Sequence, residues 1–177
     1  KEKEIKLYQW SGNCRPFYEV LSLVNQQGLA DINGGNTRFD RFYPSYGWVA
    51  PIGRQVKDLR QIYSSAANEN LYTNLWSSDF FGFYLLTETW KNTETPCRVK
   101  PMNLYYHVYS AQKVPALKAV IENLEYVRTQ EICPIATTNF ARVARGFYKT
   151  QFEQMGDMAY KVKKREALQT IRFDEAS

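Results

Sequence analysis

Ile5-Lys-Leu-Tyr-Gln-Trp10, running into Ser11-Gly-Asn-Cys-Arg-Pro16, is the stretch on which the fold turns. Its first six residues alternate in the manner of a strand. The next six hold Ser and Asn side chains that satisfy open amides, and Pro16 suits the first turn of a helix. Phe17, Val20, Leu21 and Val24 then recur at helical spacing, and Gly28 fits just beyond the helix end. Leu29-Ala-Asp-Ile-Asn33 reads as a second short strand. The unit is therefore βαβ, with parallel strands and a right-handed crossover.

Outward from this unit, Gly34-Gly35 opens a stretch to Gly53 that is too irregular for a regular element and too aromatic for a disordered linker. Residues 59–63 read as a strand, 68–78 as a loop dense in Asn and aromatics, and 80–90 as a helix. Residues 102–109 form the next expected strand. Leu117, Val120, Ile121, Leu124 and Val127 then follow along one helical face. Residues 132–136 are another expected strand. Thr137 or Thr138 caps a helix whose buried face holds Phe140, Val143, Phe147 and Met155, ended by Gly156. Residues 160–165 and 168–173 look like two strands of a β-rich region. Alternating strands and helices imply a mostly parallel α/β layer or barrel, with working residues at the carboxyl ends of strands.

A chain of 177 residues with 44% apolar side chains suits one ordinary domain core. Thirteen tyrosines, ten phenylalanines and four tryptophans supply flat faces with polar edges, suited to packing and to carbohydrate surfaces alike. The net charge of +5 permits an anionic partner, but Lys and Arg are interspersed with acids as on a solvated surface, and no nucleic-acid recognition motif is present. No apolar run of 18 residues could span a membrane, and the start Lys1-Glu-Lys-Glu-Ile-Lys6 does not have the make-up of a signal peptide. Cys14, Cys97 and Cys133 have no paired spacing, which excludes a dense disulfide framework.

The chain has one histidine, His107. With three cysteines at unrelated spacings, it does not make a self-contained zinc site, which needs three or four ligands. A lone imidazole at the end of a strand suits a proton shuttle, and it equally suits a half-buried member of an aromatic cluster. The polar constellations 11–15, 33–37 and 107–110 all fall at expected strand ends, with 68–76 as a loop that could join them.

Five blocks in this order resemble the carboxyl-terminal part of bacterial polysaccharide deacetylases, most closely the deacetylase region of PelA-type proteins of pellicle exopolysaccharide biosynthesis. They are Trp10-Ser-Gly-Asn-Cys-Arg-Pro16, Asn33-Gly-Gly-Asn-Thr37, Tyr43-Pro-Ser-Tyr46, Asn68-Glu-Asn-Leu-Tyr-Thr-Asn-Leu-Trp76 and Leu104-Tyr-Tyr-His107-Val-Tyr-Ser110. The resemblance implies the carboxyl-terminal portion of a distorted (β/α) barrel over residues 1–156, with 157–177 beginning a β-rich appended region. It implies N-deacetylation of an acetylated amino-sugar polysaccharide in a periplasmic or secreted setting, with a divalent metal, zinc in this reading. His107 matches the late Leu-x-x-His that supplies the general acid, and Arg15 resembles the arginine that orients the catalytic base. Asn33 or Asn36 lies where a supporting polar residue is expected, although the family commonly has Asp at the place of Asn36. Trp76 and Tyr72 are then candidates to stack on sugar faces, and Asn68, Glu69 and Asn74 to bond hydroxyls. The Asn-rich loop could equally bond to itself.

The chain departs from the family in having no His-x-x-x-His and no second histidine, so the metal half of the site is expected on a segment before Lys1. A portion of a barrel also leaves sheet edges unpaired, which implies self-association through such an edge. Two other functions are compatible with the residues. One is a non-catalytic module that binds glycans or a protein through the aromatic and Asn-rich loops. The other is a glycosidase using Glu69 and Glu88, which needs two carboxylates across a cleft. Glu88 falls inside an expected helix and reads as structural.

Overall fold

The computed structural model describes residues 3–64, 68–94 and 100–172. The opening βαβ unit forms as its sequence implies. Strand β1 (Leu7–Gln9) leads through helix α1 (Tyr18–Gln26) to strand β2 (Ala30–Ile32), and the two strands pair in parallel with Tyr8 opposite Asp31. Two flanking bonds, Ala30 N to Lys6 O and Trp10 N to Ile32 O, prolong the ladder. Leu21 and Val24 of α1 pack on Trp10 to make a small core. Phe17 and Val20, on the same sequence pattern, stay exposed.

No barrel follows, and this corrects the expected fold class. Among the described residues there are three separate two-stranded sheets: β1 with β2, an antiparallel hairpin β3 (Gly53–Val56) with β4 (Leu59–Ile62), and an antiparallel hairpin β5 (Gln151–Gly156) with β6 (Ala159–Lys163). The two segments expected to widen a parallel sheet do not enter one. Of residues 102–109, 102–107 form no strand beyond one isolated bridge from Tyr105 to Asn68, and from Val108 the chain turns into a 3₁₀ helix to Gln112. Residues 132–136 run exposed, and Pro134 in their midst has no N–H to give a ladder.

The helix expected over 137–156 also stops early. Helix α5 (Thr137–Lys149) begins after Ala136, with no side-chain cap from Thr137 or Thr138, and ends at Thr150. Residues 151–156 become β5, because Phe152 and Gln154 alternate and find Val162 and Tyr160 directly opposite. Met155 is therefore on an exposed hairpin instead of a buried helix face, and the buried residues of α5 are Ala141, Ala144 and Gly146. Residues 168–172 form no strand, and Phe173 lies outside the described residues.

The larger core gathers Tyr72, Phe83, Leu85, Leu86, Trp90, Ala119 and Val120. It joins the short helix α2 (Glu69–Tyr72), a 3₁₀ turn at Gly82–Leu85, helix α3 (Leu86–Asn92) and helix α4 (Val114–Arg128). Burial of each large side chain here contributes roughly 1.5–3 kcal/mol. The expected helix over 80–90 is thus a 3₁₀ turn that passes into α3. The aromatic stretch 34–53 is fastened to this core. The buried Arg38 guanidinium pairs with Asp40 at 2.6 Å, donates to the Leu71 carbonyl at 3.0 Å and stacks on Tyr43 and Tyr72. Glu88 accepts from the backbone and guanidinium of Arg41, which gives it the structural role its place in a helix implied.

Candidate functional site

A polar cleft of about 810 Å³ opens where the residues after β1 and β2 meet those around His107. Its floor is a corner built by the chain on itself. Asn33 sits at φ 104°, in the left-handed region that Asn tolerates better than most residues. Its side chain is fully engaged, donating to Trp10 O at 2.6 Å and accepting from Gly34 N and Ser64 Oγ. Gln61 of β4 then donates one amide to both Cys14 O and Asn33 O at 2.8 Å, which ties the two strand ends together. Gly35 is required by close approach: a Cβ there would lie 2.2 Å from the Tyr63 ring.

His107 stands on the wall of this cleft. Asn68 caps α2 by accepting from Leu71 N, which fixes the next residue, Glu69, with its carboxylate 1% exposed. One oxygen of Glu69 accepts from the backbone N–H of His107 at 2.9 Å and lies 2.6 Å from its Nδ1. A carboxylate only accepts, so Nδ1 carries the proton, and Nε2 is left as the ring atom able to exchange one. Among the described residues Nε2 has no protein partner. Tyr109 stacks on the imidazole, 4.7 Å between centroids and 8° from parallel, and Tyr105 leans on it at 5.3 Å. The ring is thus held at one edge by Glu69 and packed by two tyrosines, which fixes its orientation as proton transfer requires.

The other residues singled out in the sequence separate into three places. Arg15, Asn36 and Asn68 line the cleft with His107 and Asn33. Glu69 is buried behind His107, so it orients the imidazole and is not presented to a sugar hydroxyl. Tyr72, Asn74 and Trp76 do not line the cleft. Tyr72 is buried in the core with its hydroxyl 2.7 Å from Thr89 Oγ1, and burial raises its pKa. Trp76 stacks on Phe80 and meets the edge of Tyr109, so it supports the aromatic wall from behind. Asn74 is exposed at φ 48° in the turn after α2. Asn13, Asn70, Tyr63 and Tyr105 also line the cleft. The strand-end position of Asn13 was a usable signal for it. Asn70 falls in the Asn-rich loop and Tyr105 in the run before His107, whereas nothing local in the sequence marks Tyr63.

The described residues do not fit a divalent metal centre. They contain no group of three His, Cys, Asp or Glu side chains placed to hold one. Cys14, the one thiol on the cleft among the described residues, is pushed up in pKa by burial and donates to Trp10 O at 3.4 Å, the behaviour of a protonated thiol and not of a ligand. Cys97, the third cysteine, lies outside the described residues. No helix among the described residues is long and apolar enough to cross a membrane. No family model, no curated protein and no solved structure matches the chain.

Proposed function

We propose that this cleft binds acetylated amino-sugar chains and that His107, oriented by Glu69, donates the proton in their N-deacetylation, in a periplasmic or secreted setting. The observation that carries the reading is the 2.6 Å contact between Nδ1 and Glu69, which leaves Nε2 for transfer beside a cleft of the size of a ligand site. In the reaction a water oxygen bonds to the acetyl carbon as its proton passes to Nε2, the carbon–nitrogen bond breaks, and the leaving amine takes that proton from Nε2, giving acetic acid, which ionises to acetate, and a free sugar amine. The divalent metal of this proposal would polarise the acetyl carbonyl. The described residues do not supply its ligands, so the chain's own roles are sugar binding and proton transfer.

The amides of Asn13, Asn36, Asn68 and Asn70 and the guanidinium of Arg15 suit the hydroxyls and acetamido groups of a glycan. This lining, with one imidazole and no carboxylate among the described residues, also favours a second reading: a glycan-binding module without chemistry. Titration with a short oligomer of N-acetylglucosamine, followed by NMR, tests both. Both readings expect shifts at His107, Asn36 and Tyr105, and neither survives if these signals are unmoved at millimolar oligomer. In the full-length protein, deacetylase turnover that falls about 10²–10⁴-fold in His107→Ala selects the catalytic reading. Retained binding with no acetate release selects the module.

A further inference from the structure

Helix α4 is apolar on two sides. Ala116, Ala119, Val120 and Asn123 pack inward. Val114, Leu117, Ile121 and Leu124 point away from that core and are 65, 38, 43 and 42% exposed. Only Val120 of the apolar set expected on one buried face is fully covered, with Val127 partly so. The spacing of the outer four is three, four, three. At about 100° per residue they fall within an arc of roughly 80°, the narrow seam that a second helix covers in a coiled coil. Exposed Phe81 lies beside the seam, where it forms with Val114, Pro115 and Lys118 the walls of a groove.

We propose that this seam is a dimer interface, in which α4 packs antiparallel on α4 of a second copy about a two-fold axis at Ile121. The charges on the helix select this occupant. Lys118 and Glu125 lie on the same flank of the seam, three residues before and four after Ile121. An antiparallel pair brings the same flank of both helices together. With the axis at Ile121, Lys118 of one copy stands within about 1.5 Å along the axis of Glu125 of the other. The two-fold axis repeats the pair, so the surface is complementary to itself in shape and in charge. Neither side chain has an ionic partner in its own chain among the described residues. Four seam side chains and Phe81 from each copy fall short of a standard interface of about 1,600 Å², so the dimer is weak and concentration-dependent.

Sedimentation velocity on the 177-residue chain over about 5–500 µM tests the proposal, with circular dichroism to establish that each variant is folded. The sedimentation coefficient is expected to climb toward that of a dimer across this range. Ile121→Glu should hold the chain monomeric, and Lys118→Glu should weaken association about tenfold, since it sets two like-charged pairs together. Lys118→Glu combined with Glu125→Lys should restore it to within about threefold. A monomer at every concentration overturns the interface. So does a dimer that Lys118→Glu leaves unchanged, or a folded double variant that fails to recover.

Discussion

Replacing Glu69 tests the arrangement around His107 directly, because two substitutions remove different parts of the same contact. Glu69→Ala removes the acceptor for both the backbone N–H and Nδ1–H of His107, which lie at 2.9 and 2.6 Å. Hydrogen bonds to a charged group contribute about 1.5–3 kcal/mol each, so their joint loss should cost about 3–6 kcal/mol of unfolding free energy. Glu69→Gln keeps a carbonyl oxygen that accepts both bonds but removes the charge, so it should cost about 1–3 kcal/mol. Urea unfolding followed by tryptophan fluorescence reads these differences, provided the slope with denaturant is unchanged. The single histidine makes a second readout unambiguous. In nitrogen-15 spectra taken where the ring is neutral, Nδ1 should bear the proton in the parent chain and in Glu69→Gln, whereas Glu69→Ala should favour Nε2–H. Equal stability losses in the two variants, or an Nε2–H ring in the parent, would refute the orienting role of Glu69.

Two further outcomes follow from buried charges elsewhere. Lys100 is buried, donates to Pro51 O at 3.1 Å and has its pKa pushed down to about 8 by that burial. The folded chain therefore holds this proton less tightly than the unfolded chain, and the cost is complete below about pH 8 and disappears between pH 8 and the ordinary value of 10.5. Lys100→Met should accordingly stabilise the chain by about 2 kcal/mol at pH 7, after allowing for the lost hydrogen bond, and the gain should vanish by about pH 10.5. A gain that does not vary with pH would be inconsistent with this cause. Asp31 accepts from Arg145 at 2.8 Å, from Trp10 Nε1 and from Ile62 N. Asp31→Ala should thus destabilise by about 3–5 kcal/mol, and a double-mutant cycle with Arg145→Ala should give a coupling of at least about 1 kcal/mol. A coupling near zero would mean that the pair does not tie α5 to β2.

The sequence by itself determined the parts of this protein that depend on near neighbours. The βαβ unit of 5–33 is legible because strand alternation, a helical repeat and a glycine stop occur in order within one short segment, and β1 finds its ladder partner in β2 a short way along the chain. The single histidine, placed after an apolar run, is likewise legible as a candidate proton-transfer group. Tertiary structure decided what depends on distant partners. Whether 102–106 and 132–136 become strands rests on the presence of a free ladder beside them, which periodicity does not report, and at 132–136 Pro134 also withholds a donor. Residues 151–156 are compatible with a helical and with an alternating pattern, and the facing segment 159–163 decides for the hairpin. Glu69 and His107 are 38 residues apart, so a sequence that shows a polar loop and an apolar run cannot show that one carboxylate oxygen holds both the backbone N–H and Nδ1 of the histidine. The outer seam of α4 follows the same rule: its apolar spacing is written in the chain, but only the packing of Ala116, Ala119 and Val120 determines which side of the helix is left for a partner.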